Sequence, residues 1–334
     1  MPIFAKDHPA RGSHSPSTHP PSERHGRPSA LEAGAQQAAD LYPFRVPSAW
    51  AKRIDWENLQ DPLGRQVIPS AEELRPVSGF STDPLAEQGA RRIPGLLQKY
   101  AGRVLLQVTG ECPIHCRFCF RRHESYADLP DSPAAWLPAL AAIAQDASLH
   151  EVVLSGGDPL MLPDGRLADL TQRLATIPHL RRLRIHSRMP VVTPRRINQP
   201  LLHWLTATRL TPVMVIHCNH PDELDPAVLA GLARMLEAGV LLLNQSVLLR
   251  GVNDEAGILA RLCETLINHR VIPYYLHLLD PVAGAAHFQV ERADARALIR
   301  QLQARLPGYA VPKLVWEQPG QPSKMAVDLG LSGP

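Results

Sequence analysis

Between Arg103 and Asp280 the sequence alternates short apolar, β-branched runs with longer segments of helical periodicity. A strand followed by a helix returns to a parallel strand through a right-handed crossover. Six such units predict an α/β fold, a partial TIM-like (β/α)6 barrel, with a doubly wound open sheet as the alternative. The six strand-like runs begin at residues 103, 151, 180, 211, 240 and 271, and one more strand is expected after residue 310.

The segments between these runs carry helix signals. Asp225 followed by Pro226 is typical of a helix start, and Gly239 of a helix end. One apolar face is spaced from Leu167 to Ile177, and another from Ile258 to Ile267. Each helix would therefore bury one face against the sheet.

Composition divides the chain into three parts. Residues 1–43 are rich in Pro, Ser, His, Arg and Ala and predict a disordered tail. Residues 44–100 contain short mixed segments with prolines and predict an N-terminal helical extension. Residues 101–330 would form the barrel and a C-terminal segment.

Charge and hydropathy exclude several classes of partner. The formal charge of +3, from 35 basic and 32 acidic residues, gives no reason to expect nucleic-acid binding. No apolar run approaches the roughly 18 residues of a membrane span, and no secretory signal is evident. A cytoplasmic protein with no membrane contact is expected.

Three of the five cysteines follow the first predicted strand in a Cys-x3-Cys-x2-Cys pattern, at Cys112, Cys116 and Cys119. Such a group predicts a metal site, and thiolates are the usual ligands of iron–sulfur clusters. Three thiolates leave one iron of a [4Fe–4S] cluster free, and S-adenosylmethionine (SAM) can chelate it. The alternative is zinc, with His115 or His123 as a further ligand.

The remaining cysteines carry no such signal. Cys263 lies on an apolar helix face and is expected in the core, and Cys218 is assigned no role.

A second motif, Ser-Gly-Gly-Asp, follows the second strand. Gly156 and Gly157 allow the backbone to approach a ligand closely. Asp158 would accept a hydrogen bond from the SAM ammonium, or would cap the next helix. Phe118, before the third cysteine, matches the aromatic residue that radical SAM enzymes usually have there.

The sequence resembles the radical SAM lysine 2,3-aminomutases, most closely the branch that serves β-lysylation of elongation factor P. The resemblance extends from about Phe44 to Leu329. It is carried by long stretches, among them GFSTDPLAEQ, IPGLLQKYAGRVLL, CRFCFRRH, SGGDPLM, RLRIHSRMPVV, LLNQSVLLRGVND, PYYLHLLDPVAGAAHF and GYAVPKL.

The resemblance implies a second cofactor, pyridoxal 5'-phosphate (PLP), carried on Lys324 in the stretch PGQPSK. It also implies that Arg121 binds the substrate carboxylate. Asp280 and Glu317 would bind the distal ammonium of lysine, and Glu317 stands where the free-lysine enzymes have an aspartate. Tyr100 and Arg103 match positions near PLP, and Lys99 stands where those enzymes have an arginine. Two further residues are expected to face the cofactors, Arg188 and Gln245.

The implied activity is that of an isomerase, which moves the amino group of L-lysine from C2 to C3. β-Lysine would then be attached to elongation factor P by a separate lysyl ligase. An electron donor such as flavodoxin or ferredoxin would reduce the cluster, and the chain would be a monomer or small oligomer. The alternatives are an aminomutase for another amino acid, such as glutamate, and a non-catalytic metal-binding module.

Overall fold

The computed structural model describes residues 33–126, 129–130 and 132–330. Within these residues, ten strands form one sheet in the order of the chain. The strands are β1 (Arg91–Ile93), β2 (Leu96–Leu97), β3 (Arg103–Thr109), β4 (Glu151–Gly156), β5 (Arg182–Ser187), β6 (Thr211–His217), β7 (Leu241–Val247), β8 (Ile272–His277), β9 (Lys313–Trp316) and β10 (Met325–Ala326).

Each strand from β3 to β8 pairs in parallel with the next one along the chain. A doubly wound sheet would reverse its strand order at a switch point, and this sheet does not. The prediction of a partial barrel is therefore confirmed. Strands β1, β2 and β10 extend its two edges by antiparallel pairing.

Helices cover the outside of the sheet. They are α1 (Ala33–Leu41), α2 (Ser48–Ala51), α3 (Pro62–Arg65), α4 (Glu87–Ala90), α5 (Leu137–Gln145), α6 (Asp164–Ala175), α7 (Met189–Val192), α8 (Gln199–Thr206), α9 (Pro226–Glu237), α10 (Ala256–Asn268) and α11 (Arg292–Arg305). Short 3₁₀ turns lie at Ala71–Leu74, Pro159–Met161, Pro194–Arg196, Pro221–Glu223, Ala286–Phe288 and Gly308–Ala310. None of the helices in the described part of the chain is long and apolar enough to cross a bilayer.

The helix signals in the sequence have the expected structural roles. The Asp225 carboxylate accepts a hydrogen bond from the Val228 N–H at 2.8 Å, which caps α9. Gly239 follows that helix with φ +88°, in the left-handed region. Cys263 is buried on the inner face of α10, in the core as expected.

The two predicted N-terminal boundaries differ from the structure. Residues 33–41, assigned to the disordered tail, form α1, because Ala35 and Ala38 pack their small side chains in the core. Residues 1–32 of that tail lie outside the described residues. The helical extension also contains β1 and β2, since buried Leu96 and Leu97 pair with β3. The sheet therefore begins at Arg91, ten residues before the predicted barrel boundary.

Candidate active site

The parallel strands surround a cavity of about 920 Å³. Strand periodicity decides which side chains face it. In β5, Leu183 and Ile185 are buried in the outer core, whereas Arg184 and His186 line the cavity. Its volume is within the range of small-molecule and cofactor sites. Both predicted ends of the site, the cysteine loop and Lys324, contribute to its wall.

The cysteine loop connects β3 to α5, and all three thiols border the cavity. Burial and the charges of neighbouring cysteines raise the pKa of the Cys112 and Cys119 thiols, that of Cys119 to about 11. Their thiolate forms are therefore unfavourable here without bound cations, and iron would supply the compensating charge. Within the described residues, no three His, Cys, Asp or Glu side chains converge on a position for a single metal ion.

The two histidines of the zinc alternative bond to the backbone. His115 Nδ1 lies 2.7 Å from the Pro43 carbonyl oxygen, and its ring stacks on Tyr42. His123 Nε2 lies 2.9 Å from the Ala283 carbonyl oxygen. Cys218 is buried, and its thiol lies 3.4 Å from the His220 carbonyl oxygen.

Arg188, expected to face the cofactors, lines the cavity and contacts a predicted cluster ligand. Its Nη1 donates to Cys116 Sγ at 2.7 Å, and its Nη2 donates to Gln66 Oε1 at 2.5 Å. The guanidinium lies over the rings of Trp50 and Phe118. A buried cation is thus held against the cysteine loop by residues of the N-terminal extension.

The two glycines of the second motif bring β4 against the cysteine loop. A Cβ at Gly156 would lie 2.4 Å from the Thr109 carbonyl oxygen, and one at Gly157 would lie 2.3 Å from the Glu111 carbonyl oxygen. No side chain fits at such distances. The close approach that Gly permits is therefore made to this chain's own backbone.

Asp158 is a capping residue in this structure. Its carboxylate accepts hydrogen bonds from Ser187 Oγ at 2.7 Å and from three backbone N–H groups, at 2.8 to 3.0 Å. These groups belong to Leu160, Arg188 and Met189. Four donors occupy the four acceptor positions of a carboxylate. The capping alternative describes Asp158, and the expected bond to the SAM ammonium has no free acceptor.

A chain of alternating charges extends along the cavity from the cysteine loop to Lys324. Arg121 pairs with Glu87 through Nε and Nη2, at 2.6 and 2.9 Å. Lys99 Nζ lies 3.1 Å from Glu87 and 2.7 Å from Glu317. Lys324 Nζ lies 2.5 Å from the second oxygen of Glu317. The structure therefore brings together four predicted residues and adds Glu87, which the sequence had not singled out.

These ion pairs keep both glutamates charged. The pKa of Glu87 falls to about 2: burial raises it, but Arg121 and Lys99 lower it by more. The pKa of Glu317 also falls to about 2, because Lys324 and Lys99 outweigh burial. Glu317 is thus the partner of Lys99 and Lys324. These two ammonium groups would compete with a substrate ammonium for its carboxylate.

Asp280 borders the same cavity but has a different state. Burial raises its pKa to about 7, and the nearby Lys324 offsets only part of this effect. A carboxylate with this pKa is half protonated near neutral pH. A cationic ligand would stabilise its ionised form.

The residues expected near PLP also reach the cavity. The Arg103 guanidinium lies 4.6 Å from the centre of the Tyr100 ring. Burial raises the pKa of Tyr100, and the charge of Glu317 adds to this. Gln245 Nε2 lies 2.8 Å from His217 Nε2.

Sequence analysis missed three histidines on the inner wall, at the ends of β5, β6 and β8: His186, His217 and His277. Burial lowers the pKa of all three, that of His217 to about 3, so the rings are neutral. Within the described part of the chain, Nε2 of His186 and of His277 has no hydrogen-bond partner. The period-two pattern of each strand was the available signal, since it places these residues on the inner face.

Comparison with known proteins identifies the family. A model described as the radical SAM superfamily matches residues 106–199, which include the cysteine loop and the Ser-Gly-Gly-Asp motif. Among solved structures, a radical SAM methyltransferase from Sphaerobacter thermophilus matches with a TM-score of 0.46 and 18% identity, over 66% of this chain and 68% of that one. That structural likeness is too distant to support an argument.

Relatives named L-lysine 2,3-aminomutase match most of the chain. The protein of Escherichia coli K12 is 47% identical over 89% of this chain and 86% of its own length. That of Haemophilus influenzae is 46% identical over 86% and 85%, and that of Clostridium subterminale is 35% identical over 89% and 71%. Identities of 35 to 47% over 86 to 89% of this chain are specific to one family. Together with the cysteine loop on the barrel cavity, they show that this chain belongs to the radical SAM lysine 2,3-aminomutase family.

Proposed function

We propose that this protein is an isomerase that converts L-lysine into β-lysine by moving the amino group from C2 to C3. The observation that supports this most directly is the shared cavity. It has three thiols at one end, and at the other a lysine among alternating charges. Radical generation and amine chemistry would thus meet in one enclosed space.

Membership of the family implies three cofactors: a [4Fe–4S] cluster, SAM and PLP. When bound, the cluster and SAM supply a carbon-centred radical, and PLP activates the amino group that migrates. Three residues would ligate the cluster, namely Cys112, Cys116 and Cys119. The barrel wall would exclude water and oxidants from the reacting atoms.

Lys324 would carry PLP. Its amine would form the covalent link to PLP, and it lies 2.5 Å from Glu317. Lys99 and Arg103 are cations on the same wall and would bind the phosphate, with Tyr100 beside them.

The two ends of L-lysine have complementary groups in the cavity. Arg121 offers a planar guanidinium for the α-carboxylate. Asp280 offers a buried carboxyl group for the ε-ammonium, and Glu317 lies beside it. Glutamate would place a second carboxylate against these acidic groups, so the charges favour a cationic side chain.

We also propose the cellular role that the resemblance suggests. The β-lysine would be attached to a lysine of elongation factor P by a separate ligase, and flavodoxin or ferredoxin would donate electrons to the cluster. Deletion of the gene should leave elongation factor P without its β-lysyl group, as a mass deficit of the intact protein. Fully modified elongation factor P in the deletion strain would contradict this role.

The experiment that tests the activity is anaerobic reconstitution with iron, sulfide, PLP and SAM, followed by product analysis. L-Lysine should yield β-lysine, and L-glutamate should not react at a comparable rate. Equal turnover of the two amino acids would contradict the assignment of lysine. A reconstituted protein without the absorption of an iron–sulfur cluster would contradict the radical chemistry.

A further inference from the structure

The hydrogen bonds of Arg121 are almost fully used within the protein. Nε and Nη2 donate to the two oxygens of Glu87, and Nη1 donates to Ser155 Oγ at 3.1 Å and to the Gly156 carbonyl oxygen at 3.3 Å. A guanidinium has five N–H groups, so one is left. A second carboxylate that binds through two parallel hydrogen bonds therefore has to displace an existing acceptor.

Glu87 is the acceptor best able to leave. Ser155 and Gly156 belong to β4 and to the backbone that packs against the cysteine loop, whereas Glu87 lies on the four-residue helix α4. Glu87 also has Lys99 at 3.1 Å, so it keeps a cation when it releases Arg121. Its side chain could then stay buried and charged.

The backbone at Glu87 is strained in the present state. Ala86 has φ +48° and ψ +44°, a left-handed conformation that is unfavourable for a non-glycine residue. The strain is adjacent to the side chain that contacts Arg121.

We propose that Glu87 is an internal substitute for the substrate carboxylate: it holds Arg121 until the substrate binds and then yields it to the α-carboxylate of the amino acid. This inference rests on the proposed function, because it takes Arg121 as the carboxylate-binding residue. Glu87 keeps a buried guanidinium paired when no substrate is present, which avoids the cost of an unpaired buried charge.

The exchange has a consequence for specificity. One carboxylate replaces another on Arg121, so the α-carboxylate, which all amino acids share, adds little net affinity. Discrimination then depends on the side-chain end, where Asp280 meets the ε-ammonium. Glu87 therefore makes the site selective for lysine by reducing the affinity that every amino acid would otherwise gain.

The test compares two ligands that differ only in the carboxylate. Glu87→Gln and unsubstituted holoenzyme, reconstituted without a reductant so that no turnover occurs, are titrated with L-lysine and with L-lysinamide by calorimetry. The substitution should lower the Kd for lysine about tenfold. The Kd for lysinamide should stay within about twofold of its value in the unsubstituted protein, or should rise. Glu264→Gln, on the exposed face of α10, is the matched control and should change neither value.

A merely structural Glu87 predicts the opposite result. Weaker lysine binding in Glu87→Gln, an unchanged Kd, or equal tightening for both ligands would overturn the inference. If the amide variant does not fold, Glu87→Asp replaces it: the side chain is shorter by one methylene and holds its carboxylate farther from Arg121, and lysine but not lysinamide should again bind more tightly. Failure of unsubstituted holoenzyme to bind lysine would overturn the proposed function itself, whereas binding without tightening overturns only the role of Glu87.

Discussion

At the cysteine end of the cavity the chain is held by backbone hydrogen bonds and by fully buried arginine side chains, such as Arg117 on Glu73, whereas at the Lys324 end it is held by partly exposed lysines that share one glutamate. The His115 and Arg117 N–H groups donate to the carbonyl oxygens of Arg45 and Gln66, at 3.0 and 2.9 Å. At the other end, Lys99 and Glu317 are 218 residues apart in sequence and meet only through their charges. We therefore expect the cysteine end to stay in place and the Lys324 end to exchange partners when ligands bind.

This contrast suggests different responses to substitution. A change at the cysteine end should remove a cofactor outright, since the loop has no spare ligand. A change at the charged end should alter affinities and their pH dependence, because each group there has more than one partner. The predictions below test that division, starting with the largest effect.

The largest effect is expected from Cys116→Ala. The cluster would lose one of its three protein ligands, and most of its iron should be lost after reconstitution. Iron analysis and visible absorption measure this. Cys263→Ala, in the core of α10, is the control and should keep a normal iron content. Iron retained in the first variant and lost in the second would show that the ligand assignment is wrong.

Lys324→Ala should affect one end of the cavity and leave the cysteine end unchanged. The variant should bind iron normally and should lose the covalent attachment of PLP, since the only change is the removal of the amine. Borohydride reduction and peptide mapping of the unsubstituted protein should place the pyridoxyl group on Lys324. A label on Lys313, an exposed lysine of β9, would contradict the assignment.

The pH dependence of lysine binding should follow Asp280. Its pKa is raised to about 7, so the carboxyl group is neutral below that value and ionised above it. Binding of a cationic side chain needs the ionised form, so affinity should fall by about tenfold for each pH unit below 7. Titrations between pH 5.5 and 8.5, a range chosen to span the pKa of about 7, would measure this. Asp280→Asn should bind lysine weakly, with no such pH dependence.

The same pKa affects stability with the opposite sign. Burial destabilises ionised Asp280, so its unfavourable contribution appears as the pH rises from the unfolded value near 3.8 towards 7. In the ligand-free protein, Asp280→Asn should therefore raise the melting temperature more at pH 8 than at pH 5. A larger gain at pH 5 would contradict the raised pKa.

The smallest effect is expected on the outer, helical layer of the barrel. Asp225→Ala removes the cap of α9 and should lower the free energy of unfolding by about 1 kcal/mol. Iron, PLP and lysine binding should not change, because no residue of α9 lines the cavity. Denaturant unfolding measures the loss, and a change in cofactor content would show that the helix supports the site.

Much of the fold could be predicted because its signals are local. The strand runs at residues 151 and 211 are β4 and β6, and the cap at Asp225 is formed as its residue type suggests. The N-terminal boundaries were harder. The helix at 33–41 has few large apolar residues, and it is stable only because neighbouring segments cover its alanines.

The site was predictable as a set of residues and not as a set of contacts. The motif at residues 155–158 suggested a ligand, yet Gly157 packs against the cysteine loop and the Asp158 carboxylate binds the chain at the end of β5. Arg121 was expected to be free for a carboxylate and is bound by Glu87. A local pattern names the chemical groups, but their partners come from elsewhere in the chain.

By itself, the sequence determined the alternation of strands and helices, the spacing of three thiols on one loop, and the membership of a family. Each of these depends on residues close to one another in the chain, or on direct comparison of sequences. Only the tertiary structure decided that Glu87 and Glu317 link Arg121, Lys99 and Lys324 into one chain of charges. Ion pairs depend on distances of a few ångströms, and the closing of the sheet around the cavity sets those distances.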